Sequence, residues 1–558
     1  MSAQTGRPTV AAAPPSSTRF DRARIQVSRL RNDPNPVWMR ELRQAARLQR
    51  TPVILAVLTG MMTLLMASIG GVASVSGEPA AVGVALFQTF FSLAFCVVTW
   101  VGPAVAASTI ASERGGHTWE ALLLTGLGPA TIARGKFAAS LSYITLYIVM
   151  LAPVGALPFL FGGVTATEVM AAFVLLFLFA VLSVAFGLSI SSKFSSPAVA
   201  IVVTLLIAVP LSIAVYLLGG VGLSFAVHEL WPGVARGTPV WLPTAYVRAD
   251  FGLDYAAFLV VAPVALIALP AWFLYEVTVA NMSGVSDDRS SGLRRWFLVC
   301  TPLLAACAVI PSWLAPSDEW VAVVIAMCVL WVHLLFCTFV FMGEPLGPSR
   351  RVRLHWDREG AGRLRRYFGP GLLRAVSLLL GLGLLCLGAQ LLAGSALELW
   401  RGGVSSRNDA MKLVVFGGYQ IAFLIFVMGL AAWTRARARS ATAPRLILLG
   451  ILFLTIVGPW IAVAIAGIVS DSSAAVVVAA PSPTYAFRMI SAFDPTEPHR
   501  KLVLSAGAAC AAAWALLGAG LLGAAALRTR KVVSEHEAAL QHLEVTLQAE
   551  DDVQAQPS

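Results

Sequence analysis

The chain is 558 residues long, 58% hydrophobic and only 12% charged, with mean hydropathy +0.78 and a formal net charge of +11 at pH 7. This excludes a soluble globular protein: most of the chain divides into apolar runs of the ~20 residues that a membrane-spanning helix needs, whereas barrel strands would alternate over segments of about 10 residues. The positive charge does not indicate nucleic acid, since no basic module with interleaved aromatics carries it; Lys and Arg accumulate on the cytoplasmic side of membrane proteins.

Residues 1–34 are rich in Pro, Ala and Ser and then in Arg. They lack the apolar core of a cleavable signal peptide and read as a disordered cytoplasmic tail. Residues 35–52 follow as an amphipathic interfacial helix, with Asn35 as its cap and Pro36 in its first turn. Trp38 and Leu42, with Ala45 or Ala46, share one face, while Arg40, Arg43 and Arg47 lie elsewhere. Trp38 favours the depth of the inner headgroups, so this helix, Glu41 included, is expected against membrane lipid. An ordinary basic flank of the first span is the alternative.

Twelve spans are predicted, giving an all-α polytopic membrane protein of two six-helix halves. The first six run 53–73, 82–110, 137–161, 169–190, 198–221 and 255–279. The second six run 297–314, 320–342, 375–393, 413–433, 446–469 and 502–527. With the N-terminus inside, 32 of the 40 Lys and Arg fall in cytoplasmic segments and eight outside, which favours an even number of spans and both termini in the cytoplasm. The halves are taken as 53–280, with a polar loop at 111–136, and 297–527, with a basic loop at 343–374. A cytoplasmic linker, 281–296, joins them, and 528–558 form a cytoplasmic tail. In that tail Val533, His536, Leu540, Leu543 and Leu547 recur at helical spacing, fitting either a helix that contacts a partner or a solvated end.

The halves repeat a local pattern in the long outer loop before each sixth span. The first reads Pro243-Thr244-Ala245-Tyr246-Val247-Arg248 and the second Pro483-Thr484-Tyr485-Ala486-Phe487-Arg488. Pro, Thr and Arg keep their spacing at equivalent topological positions, which points to an internal duplication with parallel repeats.

No P-loop is legible. Gly135-Lys136-Phe137 comes nearest to GxxxxGK[ST], but Ala130 stands where the first Gly is needed and Phe137 has no hydroxyl. Ion coupling would place titratable groups inside spans; only Glu276, near a span end, and His333 are found there. The outer-loop groups His228, Glu229, Asp250, Asp254, Asp494, Glu497 and His499 show no acid–base grouping. The seven cysteines lie in apolar runs without a CxxC pair and read as packing residues. No catalytic, cofactor-binding or metal-binding residue is expected.

The loop at 111–136 carries the most specific signal. Asn35-Pro36-Val37-Trp38-x-Arg40-Glu41-Leu42 precedes the first span. Glu113-Arg114, Thr118-x-Glu120-x-Leu122-Leu123-x-Thr125, Pro129 and Gly135-Lys136 follow the second. Together these resemble the ABC-2 type family of ABC transporter permeases. Departures are Gly115 for a usual acid, His117 for a usual Gly and Gly126 for a usual Pro. In the second half the resemblance is topological only.

The resemblance implies that this loop holds a coupling helix docking on a separate nucleotide-binding ATPase, which would carry the ATP and Mg2+. The residues implied in coupling are Glu113, Arg114, Thr118, Trp119, Glu120, Leu122, Leu123 and Leu127. Counting from a Thr118 cap, Trp119, Leu122, Leu123 and Leu127 share one face, an apolar ridge suited to a partner's groove; Glu113, His117 and Glu120 lie on another.

The expected function is a permease that moves an unidentified substrate outward by alternating access. It would act as a single-chain pseudo-dimer or as a homodimer, with no nucleic-acid partner. Alternatives are a 12-span secondary transporter without an ATPase, and a non-transporting membrane scaffold or enzyme. Much Arg, Ala and Gly beside little Lys suggests a GC-rich bacterium and its inner membrane.

Overall fold

The computed structural model describes residues 34–47, 50–75, 78–221, 224, 227–228, 230–234, 242–284, 286–314, 319–401, 406–469, 473–493 and 499–554. Of the tail expected at 1–34, only Pro34 is among them; Glu229, Arg236, Asp494 and Glu497 also lie outside the described residues.

Every regular element among these residues is helical. Eleven helices are long and apolar enough to cross a membrane. The first predicted span corresponds to a further helix, α2, whose apolar stretch Ala56–Val72 is shorter. The protein is therefore an all-α, multi-pass membrane protein.

Two compact units divide the chain, Met1–Val247 and Arg248–Ser558. The first begins with α1 (Pro36–Arg47) and α2 (Arg50–Ser74). The second predicted span is α3 (Pro79–Gly115), followed by the short α4 (Trp119–Leu124). Next come α5 (Pro129–Gly155), its continuation α6 (Leu157–Phe161), α7 (Ala166–Ser191) and α8 (Pro197–Ala214), which ends in π-helical turns at Val215–Val221. A short α9 (Leu242–Arg248) reaches the unit boundary.

Helix α3 is the hub of this unit, packing on α7, α8 and α5. Its buried face recurs at helical spacing. One half is aromatic (Phe87, Phe90, Phe91, Phe95) and the loop-proximal half is small (Gly102, Ala106, Ala107, Ala111). Small residues let helix backbones approach closely in a membrane, where no hydrophobic driving force brings helices together. Where they do, the backbone N–H groups of Ile110 and Ala111 both donate to Ser191 Oγ of α7 at 3.0 Å. At its other end α7 is started by a capping box: Thr165 Oγ1 accepts from Glu168 N, and Glu168 accepts from Thr165 N.

The second unit takes in α10 (Ala262–Met282), entered through Leu253–Tyr255 and the π-helical Ala256–Val261. The division falls after Val247, and within this unit the sixth span packs on α11 (Ser291–Leu314). Trp296 Nε1 donates to Leu269 O at 2.8 Å, and the Trp296 ring lies 4.7 Å from that of Phe273.

Then follow α12 (Glu319–Phe341), α13 (Arg350–Arg358) and α14 (Arg363–Tyr367). The remaining elements are α15 (Leu372–Arg401), α16 (Ser406–Arg437), α17 (Thr442–Val469), α18 (Tyr485–Ser491) and α19 (Arg500–Gln554). Here the fourth span, α16, is the hub: Phe416, Tyr419, Phe423, Val427 and Met428 are buried on it, and it packs on α19 and α15. The tail expected from 528 onward is no separate helix. It is the unbroken extension of α19 to Gln554, tied to α13 by Glu537 and Arg353 at 2.6 Å.

Candidate functional site

The site is built from the base of the loop between α3 and α5. Asn35 caps α1, its Oδ1 accepting from Val37 N at 3.0 Å, while its Nδ2 donates to Thr131 O of α5 at 2.8 Å. Val37 and Ala45 are buried, and Trp38 is half-buried with Nε1 donating to Ser142 Oγ at 3.2 Å. Thus α1 docks on α5. Its inner edge is Val37, Glu41 and Ala45, spaced i, i+4, i+8, with Val37 and Ala45 buried and Glu41, like Leu42, half-buried. Gly135 permits this contact, since a Cβ there would meet Asn35 Oδ1 and Val37 Cβ at 2.6 Å.

This docking gathers four charged residues from three helices. Lys136 of α5, 1% exposed, reaches Glu41 Oε1 of α1 at 3.1 Å and Glu113 Oε2 of α3 at 3.0 Å, and donates to Thr109 O at 3.2 Å. Arg40 pairs with Glu41 at 2.9 Å and with Glu113 Oε1. Two acids and two bases balance. Burial pushes the Glu41 carboxyl up, but the charges and hydrogen bonds of Lys136 and Arg40 outweigh it and hold it below its ordinary value. Burial likewise pushes Arg40 down, and Glu41 and Glu113 more than reverse it. Lys136 bridges Glu41 and Glu113, so withdrawing it would leave the two carboxylates with Arg40 alone and the local charge unbalanced.

Above this joint the loop turns sharply. His117 has φ +55°, the left-handed region that glycine favours, and Gly126 has φ +74°. Arg114 lies over the Trp119 ring at 5.3 Å. Thr118 precedes α4 but does not cap it; its Oγ1 donates back to Glu113 O at 3.3 Å.

The expected ridge is split. Leu122 is buried, Trp119 and Leu127 are half-buried, and Glu120 is exposed. The outward apolar surface is Leu123, 43% exposed, and Leu124, 88% exposed. Trp119, Leu122 and Leu123 lie on α4, which has six residues and ends before Leu127.

The second unit has a counterpart that sequence reasoning missed. Arg294 at the start of α11 is fully buried, with Nε donating to Glu344 Oε1 at 3.0 Å and Nη2 to Glu344 Oε2. It also donates to Gly369 O at 2.5 Å and Gly371 O at 3.0 Å, while Gly371 N donates to Glu344 Oε2 at 3.1 Å. Glu344 follows the second span of its half as Glu113 does in the first. The available signal was this order: a base before the first span and an acid just past the second.

The repeated outer pattern forms short helices. Pro243, Thr244 and Arg248 lie on α9, with Pro243 buried and Arg248 exposed. Thr484 immediately precedes α18, after buried Pro483. Thr484 Oγ1 accepts from Trp460 Nε1 at 2.7 Å, Pro483 O accepts from Gln420 Nε2 at 3.3 Å, and Arg488 Nη1 donates to Ser491 Oγ at 2.8 Å. Pro483 and Thr484 anchor the segment to α16 and α17; none of these residues joins the cluster of Arg40, Glu41, Glu113 and Lys136.

Glu276 and His333 are held locally. Glu276 accepts from Trp272 Nε1 at 3.0 Å, and His333 Nε2 lies 3.0 Å from Thr301 Oγ1. No group of His, Cys, Asp and Glu able to hold a metal occurs among the described residues.

Residues 51–249 match the family model described as ABC-2 family transporter protein. The match ends within two residues of the first unit's boundary. No curated protein and no solved structure matches the chain.

Proposed function

From a multi-pass membrane chain whose residues 51–249 belong to the ABC-2 transporter family, and which is thereby a membrane permease component, we propose that the protein works with a separate ABC ATPase. ATP and Mg2+ reside on that partner. Its closure pushes the loop at 111–136 and drives export of a substrate across a bacterial inner membrane by alternating access. The supporting observation is the joint of Arg40, Glu41, Glu113 and Lys136 at the base of the loop. A push on α4 is transmitted to α1, α3 and α5 together, since a shift of α5 or α3 alone would draw Lys136 or Glu113 away from both of its ion-pair partners.

Leu123 and Leu124 are the residues offered to the partner. A Leu123→Glu/Leu124→Glu variant is expected to lose the co-purifying ATPase and substrate-stimulated ATP hydrolysis while the chain still reaches the membrane at its normal level. Unchanged subunit composition on mass spectrometry of the purified complex would refute the coupling role.

A further inference from the structure

Within the second unit, a cleft of about 1260 Å³ opens between the start of α11 and the helix α13. Its wall includes Arg295, Arg350, Arg351 and Arg358, with Leu298 and Phe368 on its apolar side. Two acids also line it, and both are engaged. Asp287 Oδ1 pairs with Arg351 at 2.9 Å. Asp288 Oδ1 accepts from the backbone N–H groups of Ser290 and Ser291, at 3.1 and 3.0 Å, at the start of α11. Arg294 is taken by Glu344, and Arg365 pairs with Glu359 at 2.5 Å. Arg295 and Arg358 remain exposed and without an acidic partner among the described residues.

We propose that this cleft binds a phosphate-bearing anion, supplied either as an acidic phospholipid headgroup or as free phosphate. Guanidinium groups present planar forks that match phosphate oxygens, and the two without an acidic partner among the described residues line this one cleft. A concavity suits a small headgroup, whereas a protein partner is better met by a projecting ridge such as Leu123 and Leu124. The position agrees: Ser291, Arg295 and Leu298 belong to the first turns of an apolar spanning helix, Ser291–Val309, at the Arg-rich end that charge assigns to the cytoplasm. Arginines at that depth face the anionic inner leaflet. Occupancy would brace α13 against α11. The inference does not depend on the ATPase reading.

The test uses the full chain purified in detergent. Native mass spectrometry is run with added phosphatidylglycerol, phosphatidylcholine or inorganic phosphate, alongside lipid-dependent thermal stabilisation. Two arginines near an anionic surface correspond to a factor of about 30 in affinity. Accordingly, Arg295→Ala/Arg358→Ala is expected to weaken phosphatidylglycerol binding by about that factor while leaving phosphatidylcholine adducts and the lipid-free melting temperature unchanged. Arg295→Lys/Arg358→Lys keeps the charge, loses the fork and should fall between; it decides the matter should the alanine pair misfold. Competition by inorganic phosphate alone assigns the site to the free ion. Equal phosphatidylglycerol and phosphate binding by wild type and variants overturns the proposal. So does loss of a co-purifying ATPase with lipid and phosphate binding intact, which would make the cleft a protein interface.

Discussion

His117 stands where the resembled family usually has glycine, and its backbone takes φ +55° there. An L side chain in that region costs about 1 kcal/mol, and a β-branched one fits it worst. His117→Gly is therefore expected to leave the melting temperature unchanged or raised, and His117→Val to lower stability by about 1 kcal/mol. The other two departures have physical counterparts. Gly126, in place of a usual proline, has φ +74°, which the pyrrolidine ring cannot adopt. Gly115, in place of a usual acid, faces Ser195 O, which a Cβ would meet at 2.5 Å. Glu41 gives the pH dependence. Its folded pKa lies below the ordinary 4.5, so its stabilising contribution is complete above that value and is lost as pH falls through the depressed one. Urea unfolding should find wild type more stable than Glu41→Gln at neutral pH, with the difference shrinking only below pH 4.5.

At the scale of the element, α4 and α1 show how far periodicity can be trusted. Placing Trp119, Leu122, Leu123 and Leu127 on one face assumed a helix longer than six residues. The folded segment instead turns Leu122 inward and leaves Leu124 outward. Leu122→Glu buries a carboxylate and is expected to destabilise the chain by about 3 kcal/mol. Leu124→Glu should stay within about 0.5 kcal/mol. Comparing the two by thermal unfolding separates loop packing from partner docking; equal losses would contradict the exposure of Leu124. In α1 the misjudged residue is Glu41. A face chosen by hydrophobicity passes through Trp38 and Leu42, but Lys136 makes a carboxylate the better buried side chain at the position between Val37 and Ala45.

On the scale of the whole molecule, the two expected halves share an arrangement of charge while their packing differs. Each expected half has an acid just past its second span, held by base: Glu113 by Arg40 and Lys136, Glu344 by Arg294. Yet α3 is the hub of one unit and α16 of the other, and α10 packs with α11. The 32-to-8 division of Lys and Arg fixes the expected orientation. Leu124→Cys should react with a membrane-impermeant maleimide only after the inner face is opened, and Arg488→Cys from the outside of intact cells. Labelling of both from one side would disprove the alternating topology.

The sequence by itself determined the solvent, the number and order of long helices, and the motif residues Arg40, Glu41, Glu113 and Lys136. Those features follow from local composition and spacing, because a helix in lipid satisfies its own backbone and needs only an apolar run. Tertiary structure alone decided that the four charges meet, that Leu124 rather than Leu122 faces outward, and that Arg294 with Glu344 repeats the joint. The pairs Arg294–Glu344, Arg40–Glu113 and Glu41–Lys136 join residues 50, 73 and 95 positions apart. Helical periodicity reports only on neighbours within a turn or two, so such pairings become visible once the helices are packed.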